Sequence, residues 1–325
     1  MPEFFEDSLL REIAQLPPRY RDYAYASLAR ASGRLGYGYR DLASRVRSTY
    51  LRSYVLAEMP LYDPPSLDTT VKEVLEALPS LKYAGRVYVL ARLAETLCAL
   101  GRKDYKHYLF VAENYSTPVG YSGKARLAIA FSRCRMVARA EGIADSYSGS
   151  RRASLYVELA LARPEDYRLF TRTAGFIRGL RDGKKKVVLF SRLAGHPLYG
   201  KATTPCVKDL AMKIPLGEAL EDLYLSLLVA RNLAEAGYSG AVRQGFEVMF
   251  PSLPPIDVLP LDFAELILEV LYHYRGLQTA LKVAEGSALA PLYYAHLLDY
   301  VSMLSSEKTG YTAKGSASNS ENAGI

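Results

Sequence analysis

The residues most able to do chemistry in this chain are few, and each stands in an incomplete setting. Gly195-His196-Pro197-Leu198-Tyr199-Gly200-Lys201 has the G-x-x-x-x-G-K spacing of a loop that cradles phosphate on backbone N–H groups. Ala202 follows where a Ser or Thr would ligate Mg²⁺, and Pro197 interrupts the run of donors, so the segment reads as a hairpin turn. Gly120-Tyr121-Ser122-Gly123 and Gly237-Tyr238-Ser239-Gly240 repeat one tetrapeptide, with Tyr147-Ser148-Gly149 a partial third copy. Each serine directly precedes a glycine, unlike the G-x-S-x-G nucleophile elbow, and a turn leading into a serine-capped helix is expected.

His107, His196, His273 and His296 are scattered, with no H-E-x-x-H. His273 lies four residues after Glu269, so both could share a helix face and hold a metal with help from elsewhere, which needs ligands the sequence does not advertise. Cys98, Cys134 and Cys206 are odd in number and lack C-x-x-C spacing, which argues against a disulfide framework and places Cys98 in a helix core. Glu221-Asp222 and Glu265/Glu269 fall on solvated helix faces, with no cleft to raise a carboxyl pKa. The expectation is a protein that is not an enzyme and carries no catalytic residue, cofactor or metal.

The cations are better organised. Arg21, Arg86, Lys124, Arg152 and Lys186 each stand seven residues before a recurring apolar-small dipeptide, Leu28-Ala29, Leu93-Ala94, Phe131-Ser132, Leu159-Ala160 and Leu193-Ala194. Seven residues is nearly two helical turns, so every cation has about the same azimuth on its own helix. Stacked helices would align them in a column. Lys184, Lys185 and Lys186 add a local cluster beside Arg178 and Arg181. The chain carries +7 overall, but residues 1–215 hold 35 Lys and Arg against 21 Asp and Glu, while residues 216–325 hold 6 against 13. A basic body interleaved with 26 tyrosines suits phosphate contacts and base stacking. It equally suits a protein interface, where Tyr and Arg dominate binding energy.

These residues must be positioned by helices. Tyr25-Leu28-Ala29-Ser32, Leu90-Leu93-Ala94-Leu97 and Leu223-Leu227-Leu228 recur at three- and four-residue spacing, and strand alternation and tight hairpin signals are missing. Breakers fall every 15–20 residues or so, from Pro17-Pro18 and Gly36 through Pro64-Pro65, Gly101 and Pro164 to Gly237. The class is all-α, built from many short helices. Pro251 to Pro255 separates a last helical group, and Ser306–Ile325, with almost no large apolar side chain, is expected to be disordered. No apolar run spans a bilayer and no signal peptide opens the chain, so a soluble cytoplasmic protein with no membrane partner is expected. Three Gln, four Asn, no Trp and 27 Arg against 14 Lys give the composition a thermophilic cast.

The dipeptides continue with Leu56-Ala57 and Val229-Ala230, and from Leu28 to Val229 the mean step is about 33.5 residues. Gly36, Gly101 and Gly237 fall eight residues after their dipeptides, each followed closely by tyrosine (Tyr37, Tyr105, Tyr238). This pattern resembles the tetratricopeptide repeat, whose period is 34 residues. The copies at 131, 159 and 193 lack the glycine, so the resemblance is to a divergent member of that class. It implies a right-handed α-solenoid of about six to seven helical hairpins over residues 1–250, capped by helices at 251–305, with residues 306–325 as tail. It further implies a non-enzymatic scaffold that binds a segment of another protein on its concave surface. The alternative is a nucleic-acid-binding or nucleoprotein-associated protein using the basic face of residues 19–215. In either case Arg21, Arg86, Lys124, Arg152, Lys184, Lys185 and Lys186 are the candidate partner- or anion-binding residues.

Overall fold

The computed structural model describes residues 3–200 and 204–317, and among them every regular element is helical. The helices in chain order begin with α1 (Glu3–Gln15), α2 (Pro18–Arg34), α3 (Arg40–Arg45), α4 (Thr49–Glu58) and α5 (Leu67–Ala77). There follow α6 (Tyr83–Ala99), α7 (Tyr105–Ser116), α8 (Tyr121–Arg133), α9 (Val137–Asp145), α10 (Gly149–Ala162) and α11 (Tyr167–Arg178). The remainder are α12 (Gly183–Leu193), α13 (Val207–Ala211), α14 (Leu220–Glu235), α15 (Ser239–Met249), α16 (Leu261–Arg275), α17 (Leu277–Glu285) and α18 (Ala290–Ala317). No described helix is long and apolar enough to cross a membrane.

Local chemistry sets these boundaries. Pro18 opens α2, where its missing N–H costs nothing and its φ is already helical. Ser48, Asp166 and Asp182 cap α4, α11 and α12 by accepting from Leu51, Leu169 and Lys185 N–H. Pro60, Pro64 and Pro79 sit in short 3₁₀ turns rather than in helix interiors. Gly36, Gly101 and Gly237 all have positive φ and close the same motif. The N–H one residue beyond each reaches back to Ser32, Leu97 and Leu233 carbonyls at 2.8–2.9 Å. Arg135, the one described non-glycine with positive φ, closes the same motif after α8, with Met136 N–H on Phe131 O at 2.8 Å. Helix α8 thus ends one turn sooner after its buried dipeptide than α2, α6 and α14 do, with an arginine at the left-handed position.

The chain divides into two compact units. The first comprises residues 1–81 and 289–325. Here α2 is central, packed against α1, α3, α4 and α18. Arg34 is buried between two acids, donating to Glu58 Oε1 at 2.7 Å and Asp299 Oδ1 at 2.6 Å, and Arg30 donates to Asp299 Oδ2 at 2.5 Å. Burial disfavours the charge on Arg34, but the two carboxylates more than reverse this and raise its pKa. Helix α18 is thereby held to α2 across 265 residues of sequence. It extends past Ser306 into the region whose composition suggested disorder, and residues 318–325 lie outside the described residues.

The second unit, residues 82–288, is a sequential stack. Helices α6, α8, α10, α12, α14 and α16 each pack on the next of that set. Between them α7, α9, α11, α13, α15 and α17 each pack on the helix before. Both members of every apolar-small dipeptide are buried, from Leu28-Ala29 to Val229-Ala230. Small partners such as Ala94, Ser132 and Ala160 let neighbouring helices approach closely. Leu28, Leu93, Phe131, Leu159 and Leu193 are each the eleventh residue of their helix, so each of these helices meets the core in one register.

Candidate functional site

The candidate cations share a register as well. Arg21, Arg86, Lys124, Arg152 and Lys186 are each the fourth residue of their helix, α2, α6, α8, α10 and α12. Arg21 belongs to the first unit and the others to the second. A cation in the first turn opposes the helix dipole and needs compensation. Arg86 finds it over the rings of Tyr83 and Tyr115, at 5.5 and 5.0 Å from their centroids. Arg152 pairs with Asp145 at 2.6 Å and lies over Phe176 at 4.3 Å. In the lysine cluster, Lys184 pairs with Asp222 at 2.5 Å and Lys185 with the cap Asp182 at 3.5 Å. Arg21, Lys124 and Lys186 are half-buried and make no ion pair among the described residues. Much of the sequence-derived cationic set is thus engaged by aromatic rings and acids of its own unit.

A second set of charges went unnoticed in the sequence. Glu95 of α6 is buried and receives both guanidinium nitrogens of Arg126 of α8 at 2.5 Å, with Arg133 at 3.3 Å and Arg92 at 3.2 Å. Burial alone would push the Glu95 carboxyl up, but Arg126, then Arg133 and Arg92, outweigh it and hold the pKa at about 2. Further along, Arg192 of α12 joins Glu158 of α10 and Glu235 of α14, both at 3.1 Å, and Arg231 of α14 joins Glu269 of α16 at 2.9 Å. Helices α7, α9 and α11 are linked likewise, Glu113 to Arg139 at 2.5 Å and Glu141 to Arg172 at 2.7 Å. Asp145 accepts from Tyr156, Arg152 and Arg172. Desolvation raises its pKa, and those hydrogen bonds outweigh it, so the carboxyl titrates below its ordinary value. The signal available in the sequence was an acid and an arginine about one hairpin apart, such as Glu95 and Arg126, 31 residues distant.

The loop with phosphate-binding spacing spends its donors internally. Leu198 N–H goes to His196 Nδ1 at 3.1 Å, Tyr199 N–H to His196 O at 2.9 Å and Gly200 N–H to Thr204 Oγ1 at 3.1 Å. His196 is buried and stacked on Phe170, and Lys201 lies outside the described residues. Ser122 and Ser239 stand in the first turns of α8 and α15. Glu269 is committed to Arg231, and no group of three metal-ligating side chains assembles among the described residues. Cys134 is buried, with its thiol 3.7 Å from Ala94 O, while Cys206 is exposed.

A cleft of about 660 Å³ opens in the first unit where α3, α4 and α5 meet. Its walls come from three helix faces at core spacing: residues 40, 43 and 44; residues 49, 52, 53 and 56; and residues 73, 76 and 77, followed by Ser80. Ala, Ser and Thr occupy positions where Leu or Ile would close a helix interface, so the volume stays open. Arg40 spans one wall, donating to Glu73 at 3.0 Å and Thr70 at 3.2 Å. Sequence reading missed this site because its residues look like ordinary polar helix positions until α5 is placed opposite α4.

No protein-family model matches the chain, and neither a curated protein nor a solved structure matches it.

Proposed function

We propose that the chain is a divergent helical-hairpin solenoid that acts, without catalysis, as a scaffold for a segment of another protein. The partner segment lies along the consecutive helices α6, α8, α10, α12, α14 and α16. The observation that carries this reading is the constant register within the second unit: α6, α8, α10 and α12 bury the same eleventh position and present a cation at the fourth. Equal registers on stacked helices give a surface that repeats along one axis, which suits an extended ligand. Support for a protein partner over a nucleic acid comes from charge balance. Arg86, Arg152, Lys184 and Lys185 already have aromatic or acidic neighbours, so fewer cations remain to neutralise phosphates.

The test is recovery of partners from the native source with and without nuclease, using wild type and K124E/K186E, which changes two cations that hold no ion pair among the described residues. A stoichiometric protein retained after nuclease and lost in the variant supports the scaffold. Nuclease-sensitive recovery, with affinity for a single-stranded polyanion that falls steeply with salt, replaces it with nucleic-acid binding.

A further inference from the structure

We propose that Cys98 of α6 and Cys134 at the end of α8 form an oxidative modification site: a hydroperoxide oxidises Cys98, and Cys134 resolves it to a disulfide that ties α6 to α8. This does not depend on the scaffold reading.

Both residues belong to the second unit, in which α6 and α8 pack directly on each other. Cys134, the residue that follows α8, is buried, and its thiol donates to Ala94 O of α6 at 3.7 Å. Ala94 stands one turn before Cys98, so the same carbonyl accepts the Cys98 N–H within α6. The Cys134 sulfur therefore lies on the turn that carries Cys98, and the two thiols are hydrogen-bonded to each other. Tyr105, the first residue of α7, donates its hydroxyl to Cys134 O at 3.4 Å and lies beside both sulfurs. Three consecutive helices thus converge on one pair of thiols. No group of three metal-ligating side chains assembles among the described residues, so the chemistry this pair offers is oxidation rather than cation binding.

The two thiols differ in access. Cys98 is half-buried, open to a reagent as small as hydrogen peroxide, whereas Cys134 is 2% exposed and shielded from it. Burial and then the neighbouring Cys98 push the Cys134 thiol up, so it stays protonated while Cys98 reacts. In the first step the Cys98 sulfur attacks one peroxide oxygen, the O–O bond breaks, and the departing hydroxide takes the Cys98 proton as water. Cys98 is then a sulfenic acid. In the second step the Cys134 sulfur attacks the Cys98 sulfur, the S–O bond breaks, and the hydroxyl leaves with the Cys134 proton as a second water. The thiols give up two electrons, and the peroxide is reduced. A resolving thiol already in contact stops the oxidation at the disulfide, before sulfinic acid forms. The product closes a loop of about 35 residues, from Ala99 to Arg133, and restrains α6, α7 and α8 together.

The experiment is titration of the reduced full chain carrying C206S with hydrogen peroxide, read by peptide mapping and thermal unfolding. C206S removes the exposed thiol that could join two copies. Equimolar peroxide should yield a peptide linked through Cys98 and Cys134 in the folded monomer, and dithiothreitol should restore both thiols. The oxidised chain should melt about 10 °C above the reduced one, as expected for closing such a loop in a unit of this size. In the same background C134S should stop at a Cys98 sulfenic acid that dimedone traps, while C98S should leave Cys134 a thiol. Linkage that appears only in urea would overturn the proposal. So would Cys98 passing to sulfinic acid while Cys134 stays a thiol, or Cys134 oxidising in C98S as fast as Cys98 does in C134S.

Discussion

Arg126 of α8 donates both terminal nitrogens to the two oxygens of Glu95 on α6, each at 2.5 Å, with both side chains almost shielded from water. The pair closes the interface between two successive stacked helices. Its worth lies in what happens when one partner is removed. R126A leaves a carboxylate in a dry interface with only Arg92 and the more exposed Arg133 beside it, which should cost about 3 kcal/mol. E95L/R126M, which keeps the volume and removes both charges, should lose much less. Urea midpoints of the wild type and the two variants decide this.

Acid titrates the same pair. The Glu95 pKa is depressed from 4.5 to about 2 on folding, so its stabilisation is complete above about pH 4.5 and is lost as pH falls through about 2. A depression of that size corresponds to about 3 kcal/mol. Denaturant midpoints measured from pH 6 to 2 should fall more steeply in the wild type than in E95Q, in which that residue no longer titrates.

Helix α18 belongs energetically to the N-terminal unit. Deleting residues 289–325 removes Asp299 and leaves Arg30 and Arg34 beside Glu58, besides baring the face of α2 that α18 covers. The variant should lose the cooperative unfolding of that unit. Deleting only 306–325, which spares Asp299 and Ser302, should leave the melting temperature unchanged.

Thiol reactivity should separate the cysteines. Burial and then the neighbouring Cys98 push the Cys134 thiol up, away from the reactive thiolate, whereas Cys206 is exposed. Timed alkylation at pH 8 followed by peptide mapping should show Cys206 modified first, and Cys134 only when the second unit opens. Rapid labelling of native Cys134 would mean that α6 and α8 are not packed as described.

By itself the sequence determined the helical class, the breaks between helices and the buried dipeptides, because these are local properties. Apolar spacing, proline geometry and the positive φ that Gly36 or Gly101 tolerates all act within a turn or two of chain. The seven-residue offset from Arg86 to Leu93 was legible for the same reason, and it emerged as one helix register repeated. Arg135 was not legible, since an arginine carries no intrinsic preference for the left-handed conformation that it adopts after α8. The tertiary structure alone decided which charges meet. Glu95 and Arg126 are two of many acids and arginines on helix faces, and only packing of α6 on α8 buries them together. It also decided that α18 returns to α2, a contact 265 residues long in sequence that no local pattern encodes. The cleft beside Arg52 follows the same logic: Ser53 and Ala77 look unremarkable on their own helices, and a void exists only where small residues on three helices face one another.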